Sequence, residues 1–281
     1  MQRVTSISEL NAELDSARER GLEIAFVPTM GALHQGHLSL IEEARKHAAF
    51  VVVSIFVNPL QFGAGEDFEK YPRAIEEDAA KLEHIGVSVL FTPTVNDLYK
   101  GNMNVSERAG KIGDLYEGAA RPDHFDGMLT VVAKLFDAVK PRYAVFGAKD
   151  AQQVFLVKQM AAQKFPELEV IVAPTIREAN GLAMSSRNRY LTEADHKVAE
   201  QISAALRAGT DSVSHGGSPQ QSLEAARTVM AKAPEAKLDY IALVEADTFE
   251  AVSDGFTGRA ILLIAAVVGE TRLIDNIEIT F

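Results

Sequence analysis

Cysteine is missing from all 281 residues. Its absence excludes disulfides, thiolate nucleophiles and cysteine-based zinc sites, and it suits a cytoplasmic chain. Long apolar runs are missing too. The longest, Ala260 to Val268, is far too short to span a bilayer and reads as a buried strand, so no membrane partner is expected. Met1 to Arg20 carries mixed charges and no apolar core of the kind a secretory signal needs. There is no cation excess: 28 Lys and Arg stand against 39 Asp and Glu, a net charge of −11. With no surplus of positive charge to release phosphate counterions, the chain is a poor general binder of nucleic acid. What it does have is an apolar content of 47%, enough for a substantial core in one large domain, or in one domain with a smaller companion.

Helix-like and strand-like spacing alternates through the first half. Helices are expected at Ser8 to Arg20, His37 to Ala49, Arg73 to His84, Phe125 to Val139 and Ala151 to Gln163. Apolar strands are expected at Glu23 to Val27, Phe50 to Val57, Val87 to Thr92, Tyr143 to Phe146 and Glu169 to Val172. This alternation predicts an α/β fold, a parallel sheet covered on both faces, whose ligands bind beyond the strand C-termini. The pattern changes after about Thr175. Two helices, near 193–208 and 219–232, precede three strands, and the last two strands join at Gly269-Glu270, a hairpin signal. The boundary falls between a 1–175 domain and a 176–281 domain of α+β type.

The most informative segment is Val27-Pro28-Thr29-Met30-Gly31-Ala32-Leu33-His34-Gln35-Gly36-His37. It reads as a strand, a glycine-bearing turn and a helix start. That is how α/β proteins build a phosphate site: the turn admits close backbone approach, and the first helical amides face the anion. His34 and His37, three residues apart, are placed to face one ligand.

Other constellations fall at strand ends or at the domain junction. Asn58 and Gln61 follow the second strand and suit hydroxyl or carboxylate ligands, although Asn58-Pro59 also suits a turn that stops the strand. In Gly147-Ala148-Lys149-Asp150, glycine permits close approach, Lys149 supplies a charge for phosphate and Asp150 can cap the next helix, with Gln153 on the same face. Ser185, Ser186 and Arg187 can wrap a triphosphate. Arg121 is within reach of a site, and His124 or Asp126 can cap the helix that follows. Glu77-Asp78 are adjacent acids, of which Asp78 is the better candidate for holding Mg²⁺.

The run from Pro28 to His37 resembles the signature of the pantoate–β-alanine ligase family, and His34-Gln35-Gly36-His37 is shared with class I aminoacyl-tRNA synthetases and nucleotidylyltransferases. Further segments resemble the ligase family in order: Ile55 to Phe62, Tyr71-Pro72-Arg73, Arg121 to Gly127 and Arg177 to Asn188. The match is specific to about residue 190. The family usually carries Gly-Glu-Lys-Asp where this chain has Gly147-Ala148-Lys149-Asp150.

The resemblance implies a Rossmann-like first domain that binds nucleotide and pantoate, a smaller lid domain, and ATP-dependent joining of pantoate to β-alanine through an acyl adenylate. It implies that His34 and His37 stabilise the phosphates in transfer, with His37 also a proton donor. Lys149, Ser185, Ser186 and Arg187 would hold the triphosphate with Mg²⁺. Met30, Gly147, Asp150 and the Ile176 backbone would line the adenosine side. The ATP contacts would further include Gly31, Ala32, Leu33, Gln35, Gly36, Ala148 and Met184. Gln61 and Gln153, with Asn58 and Arg121, would hold pantoate and β-alanine. No organic prosthetic group is implied, and a homodimer is. The rivals are a nucleotidylyltransferase, a tRNA-binding synthetase-like module, which the net charge disfavours, and a non-catalytic nucleotide sensor.

Overall fold

The computed structural model describes residues 1–63, 65–66 and 68–281. The chain forms two compact units, Met1–Gly147 with Gln152–Pro174, and Ala148–Ala151 with Thr175–Phe281.

The first unit holds six strands: β1 (Gln2–Val4), β2 (Ile24–Thr29), β3 (Phe50–Ile55), β4 (Val89–Phe91), β5 (Tyr143–Gly147) and β6 (Glu169–Ala173). They make one sheet in the order β1-β4-β3-β2-β5-β6, every pair parallel. Its helices are α1 (Ile7–Glu19), α2 (Gln35–His47), α3 (Ile75–His84), α4 (Val95–Tyr99), α5 (Gly110–Gly113), α6 (Glu117–Ala120), α7 (His124–Val139) and α8 (Ala151–Lys164). Successive strand residues go to opposite faces. Phe26, Val52, Phe91 and Phe146 join one core with Leu10 and Leu14 of α1 and Phe136 of α7. Ala25, Val27, Val51, Val53 and Val145 join the other with Ile41 of α2 and Leu82 of α3. Burial on both faces is why these strands read as unbroken apolar runs.

Strand β2 lies between β3 and β5. The chain leaves β2 toward β3 and later returns to the opposite side of β2, so this is the topological switch point, outside whose strand C-termini ligands bind. The segments that follow β2 and β3 carry the His34/His37 and Asn58/Gln61 groups.

The sequence pattern missed β1, whose three residues are too few to show alternation. It also left 100–120 without structure, where the two four-residue helices α5 and α6 stand.

The second unit packs α9 (Glu193–Ser214) and α10 (Pro219–Met230) with an antiparallel sheet of β7 (Ala236–Glu245), β8 (Arg259–Val268) and β9 (Thr271–Thr280), in that order. Ile202 and Leu206 of α9 and Met230 of α10 meet Leu262, Ile264 and Ala266 of β8 in one core. No helix among the described residues is long and apolar enough to cross a membrane.

Candidate active site

The turn after β2 is built by two consecutive left-handed residues, Gly31 (φ +84°) and Ala32 (φ +52°). At Gly31 a side chain is also excluded by space, since a Cβ would stand 2.9 Å from Ile55 Cγ2. This pair of conformations turns the Ala32 and Leu33 amides to one side, and both donate to the buried carboxylate of Asp78 at 2.8 Å. The concavity expected to receive a phosphate is therefore filled from within by a side chain of α3, as anion-binding backbone nests can be. The Gly31 amide is spent on Thr29 Oγ1, and Lys81 Nζ donates to the Leu33 carbonyl.

The Ala32 and Leu33 amides, expected to face ATP, and Asp78, expected to hold Mg²⁺, are bonded to one another here, each carboxylate oxygen holding a backbone N–H. No cluster of three or more metal-ligating His, Cys, Asp or Glu side chains exists among the described residues.

At the start of α2 the histidines replace the usual capping hydroxyl. His34 is the N-cap: its Nδ1 accepts from the Gly36 amide at 3.1 Å, and His37 Nδ1 accepts from the His34 amide at 3.3 Å. The rings stand 4.1 Å apart, centroid to centroid. A nitrogen that accepts a backbone N–H cannot itself carry a proton, so both neutral rings hold theirs on Nε2. The His37 and Leu38 amides are engaged by the His34 carbonyl, so of residues 31–38 only the Gln35 amide has no acceptor among the described residues. The Nδ1 atoms of both rings are thus spent on backbone amides at the helix start.

Beyond β3, the Asn58 Oδ1 accepts from the Leu60 amide and from the Tyr99 hydroxyl, while its Nδ2 donates to the Gly127 carbonyl and to Gln61 Oε1. The backbone partners leave no choice of amide orientation: oxygen must face Leu60 N–H and nitrogen must face Gly127 C=O. Gln61 Oε1 is thereby taken, and its Nε2 is the group left to donate, at present to Met30 Sδ at 3.1 Å. Asn58 is buried and fully engaged. Expected at the substrate, it orients Gln61 here. Burial raises the Tyr99 phenol above its ordinary pKa, keeping it a donor.

Arg121, expected at the substrate, is engaged within the protein here: its guanidinium grips Glu66 with Nε at 2.9 Å and Nη2 at 2.6 Å, and Nη1 meets His124 Nε2. Neither His124 nor Asp126 caps α7. His124 Nδ1 lies 2.7 Å from the Gln61 carbonyl, and Asp126 accepts from Arg108 and from the Ala109 amide. In α8, Gln152 is spent on the Glu117 amide and on the Ile112 and Leu115 carbonyls, whereas the half-buried Gln153 amide has no hydrogen-bond partner among the described residues.

In the second unit, Lys149 Nζ stands 3.7 Å from Asp150 Oδ1. The Asp150 carboxylate makes no capping hydrogen bond to α8 among the described residues, contrary to expectation. The carbonyls of both Ala148 and Lys149 accept from Asn276 Nδ2, at 2.9 and 2.7 Å. Position 148 thus contributes its carbonyl here, a role that alanine fills as well as glutamate. The 176–190 loop is an ordered hairpin. Met184 N–H donates to the Ile176 carbonyl, Arg177 bridges Ala183, and Arg177 pairs with buried Asp275 of β9 at 2.5 and 3.0 Å. Ser185 caps the short turn that carries Ser186 and Arg187.

A family model described as pantoate-beta-alanine ligase matches residues 2–278. The chain belongs to the pantoate-beta-alanine ligase family. The pantothenate synthetase of Acidothermus cellulolyticus is 50% identical over 256 residues, covering 90% of this chain and 84% of the relative. That of Thermobifida fusca is 46% identical, covering 95% and 93%. Among solved structures, a pantothenate synthetase from Thermus thermophilus superposes with a TM-score of 0.94 at 44% identity over 100% of both chains. The pantoate-beta-alanine ligase of Francisella tularensis, solved with beta-gamma ATP and beta-alanine, gives 0.80 at 37% identity over 99% and 97%.

Three anchors of this ligase were not singled out in the sequence: Asn276, Gln152 and Glu66. The first had a signal, because Asp275-Asn276 are polar neighbours inside an apolar strand pattern and both are buried. Such groups are there to be hydrogen-bonded.

Proposed function

We infer that the chain catalyses the reaction of its family, the ATP-dependent ligation of pantoate and β-alanine. The pantoate carboxylate attacks the α-phosphorus of ATP, forming pantoyl adenylate and releasing pyrophosphate. The β-alanine amine then attacks the acyl carbon and AMP leaves. A carboxylate is a poor electrophile and two anions must meet in the first step, so donors have to be in place where charge develops.

The observation that carries this reading is the pair of adjoining imidazoles at the α2 start, 4.1 Å apart and tilted by 42°, both fixed with the proton on Nε2. We assign His34 and His37 as neutral hydrogen-bond donors to the phosphoryl oxygens. Gln61 Nε2, whose polarity is set by Asn58, suits a hydroxyl or carboxylate acceptor, and we assign it with Gln153 to pantoate. Lys149, Ser185, Ser186 and Arg187 are assigned to the triphosphate. Met30, Gly147, Asp150 and the Ile176 backbone are assigned to adenosine. Mg²⁺ arrives with ATP as part of the co-substrate. We further propose a cytoplasmic homodimer whose 176–281 domain serves as a lid.

The test is mass spectrometry of products from MgATP, pantoate and β-alanine, with and without the amine. The expected result is an amide, AMP and pyrophosphate when the amine is present, and bound pantoyl adenylate when it is withheld. A stable dinucleotide-like product would instead favour a nucleotidylyltransferase.

A further inference from the structure

Hydrogen bonds at the junction of α6 and α7 converge on the backbone of Gln61. The Arg121 guanidinium can only donate, so His124 Nε2, which meets Nη1 at 3.1 Å, must accept. The ring proton is then on Nδ1, and it is donated to the Gln61 carbonyl at 2.7 Å. Arg121 Nη2 gives the same carbonyl a second donor at 3.3 Å. Arg121 is itself held in place by both oxygens of Glu66. Burial alone would push the Glu66 carboxyl up, but hydrogen bonds and charge from Arg121 overrule it and hold the group below its ordinary value. The pair is therefore ionised at neutral pH, and such charge-assisted forks are the strongest of side-chain hydrogen bonds.

The helix approaches closely enough for this only because residue 127 is glycine. A Cβ there would stand 2.1 Å from the Leu60 carbonyl oxygen, which is backbone and cannot swing aside. Gln61 is thus fixed at both ends, its side-chain oxygen by Asn58 and its carbonyl by His124 and Arg121.

We propose that Glu66, Arg121 and His124 form a latch that sets the position of Gln61 and so tunes the affinity of the site for its hydroxy-acid substrate. They are positioning residues, acting through Gln61, and the proposal rests on the assignment of Gln61 to pantoate. The latch also accounts for the spacing of the Arg121-Pro122-Asp123-His124 segment. Arginine and histidine three residues apart across the start of α7 reach one carbonyl from two directions.

The test compares H124Q, H124N and E66Q with Q61A in the full-length enzyme, reading the KM for pantoate, the KM for ATP and kcat. Asparagine places an amide N–H where the imidazole Nδ1–H stood, whereas glutamine reaches only the Nε2 position. H124Q and E66Q are expected to raise the pantoate KM about tenfold, the loss of a single good hydrogen bond. H124N should return it to within about threefold of the parent by the same reckoning, and the ATP KM should not move. Unchanged pantoate KM in H124Q and E66Q, or equal rises for pantoate and ATP, would overturn the latch. An unchanged pantoate KM in Q61A would overturn the assignment of Gln61 instead. If H124Q does not fold, E66Q reads the same prediction.

Discussion

Asparagine at position 78 separates two roles for one carboxylate. Asp78 is fully buried, and its two oxygens accept the Ala32 and Leu33 amides at 2.8 Å each, with Lys81 Nζ at 3.8 Å from one of them. In Asp78→Asn the shape is kept and one acceptor survives. The other oxygen becomes an NH₂ that faces a backbone N–H, donor against donor. Losing a hydrogen bond to a charged group costs about 1.5–3 kcal/mol, and orphaning a buried amide costs about 1–3 kcal/mol. The two overlap, because the turn can relax when released. Ala32, at φ +52°, holds about 1–2 kcal/mol of left-handed strain that relaxation would return. A net loss of about 2–4 kcal/mol follows from these ranges. For a unit of this size that is a Tm lower by about 5–12 °C.

Thermal melts read this directly, and a Mg²⁺ titration of the ATP KM runs beside them. A loop anchor predicts the Tm loss with an unchanged Mg²⁺ requirement. A Tm within about 2 °C of the parent, less than the smallest cost reckoned above, together with a raised Mg²⁺ requirement, would refute the anchor and restore Asp78 as an ion ligand.

Three further outcomes are expected. His37→Ala should slow single-turnover adenylation about 10²–10³-fold, the scale of losing one donor to a developing oxyanion, with the far-UV circular dichroism unchanged. Preserved adenylation would remove His37 from the chemistry. Gln153→Ala should raise the KM for pantoate far more than that for ATP, and equal effects would contradict its assignment. Burial first, and then the Arg121 charge, lower the His124 pKa to about 4. The unfolded chain therefore takes up a proton as pH falls through its ordinary value, while the folded chain resists until about pH 4. Stability should fall across that window, by up to about 3 kcal/mol. Urea midpoints measured from pH 7 to pH 4 should show the loss. Most of it should vanish in H124N, and a slope that persists there would place it elsewhere.

Much of the fold was legible because periodicity reports burial. The strands Phe50–Ile55 and Arg259–Val268 are apolar on consecutive residues and were read within two residues of their ends. The chemistry-bearing positions were legible by type: histidines at a helix start, amides past a strand, a lysine past another. Their division of labour was not. Nothing in the sequence pairs Asp78 with Ala32 and Leu33, 46 and 45 residues away. Nothing in it sends Arg121 to Glu66, 55 residues back. Residue type shows which hydrogen bonds a group can make, but the tertiary fold decides whether a neighbour has already taken them.

This partition follows one physical rule. An atom that must meet a ligand cannot also satisfy the backbone, so each ligand-facing donor needs a partner on its other atom that fixes its direction. Asn58 does this for Gln61 by occupying the oxygen and leaving the nitrogen. The backbone does it for His34 and His37 by occupying Nδ1 and leaving Nε2. Asp78 performs the converse task, absorbing the turn amides so that the strained loop carrying the histidines stays closed without a ligand. Substitutions in the two sets should therefore separate by readout. Loss of an orienting residue moves stability and KM together, whereas loss of an oriented one moves the pantoate KM, for Gln61, or the rate of phosphoryl attack, for His34 and His37, while the melt stays in place.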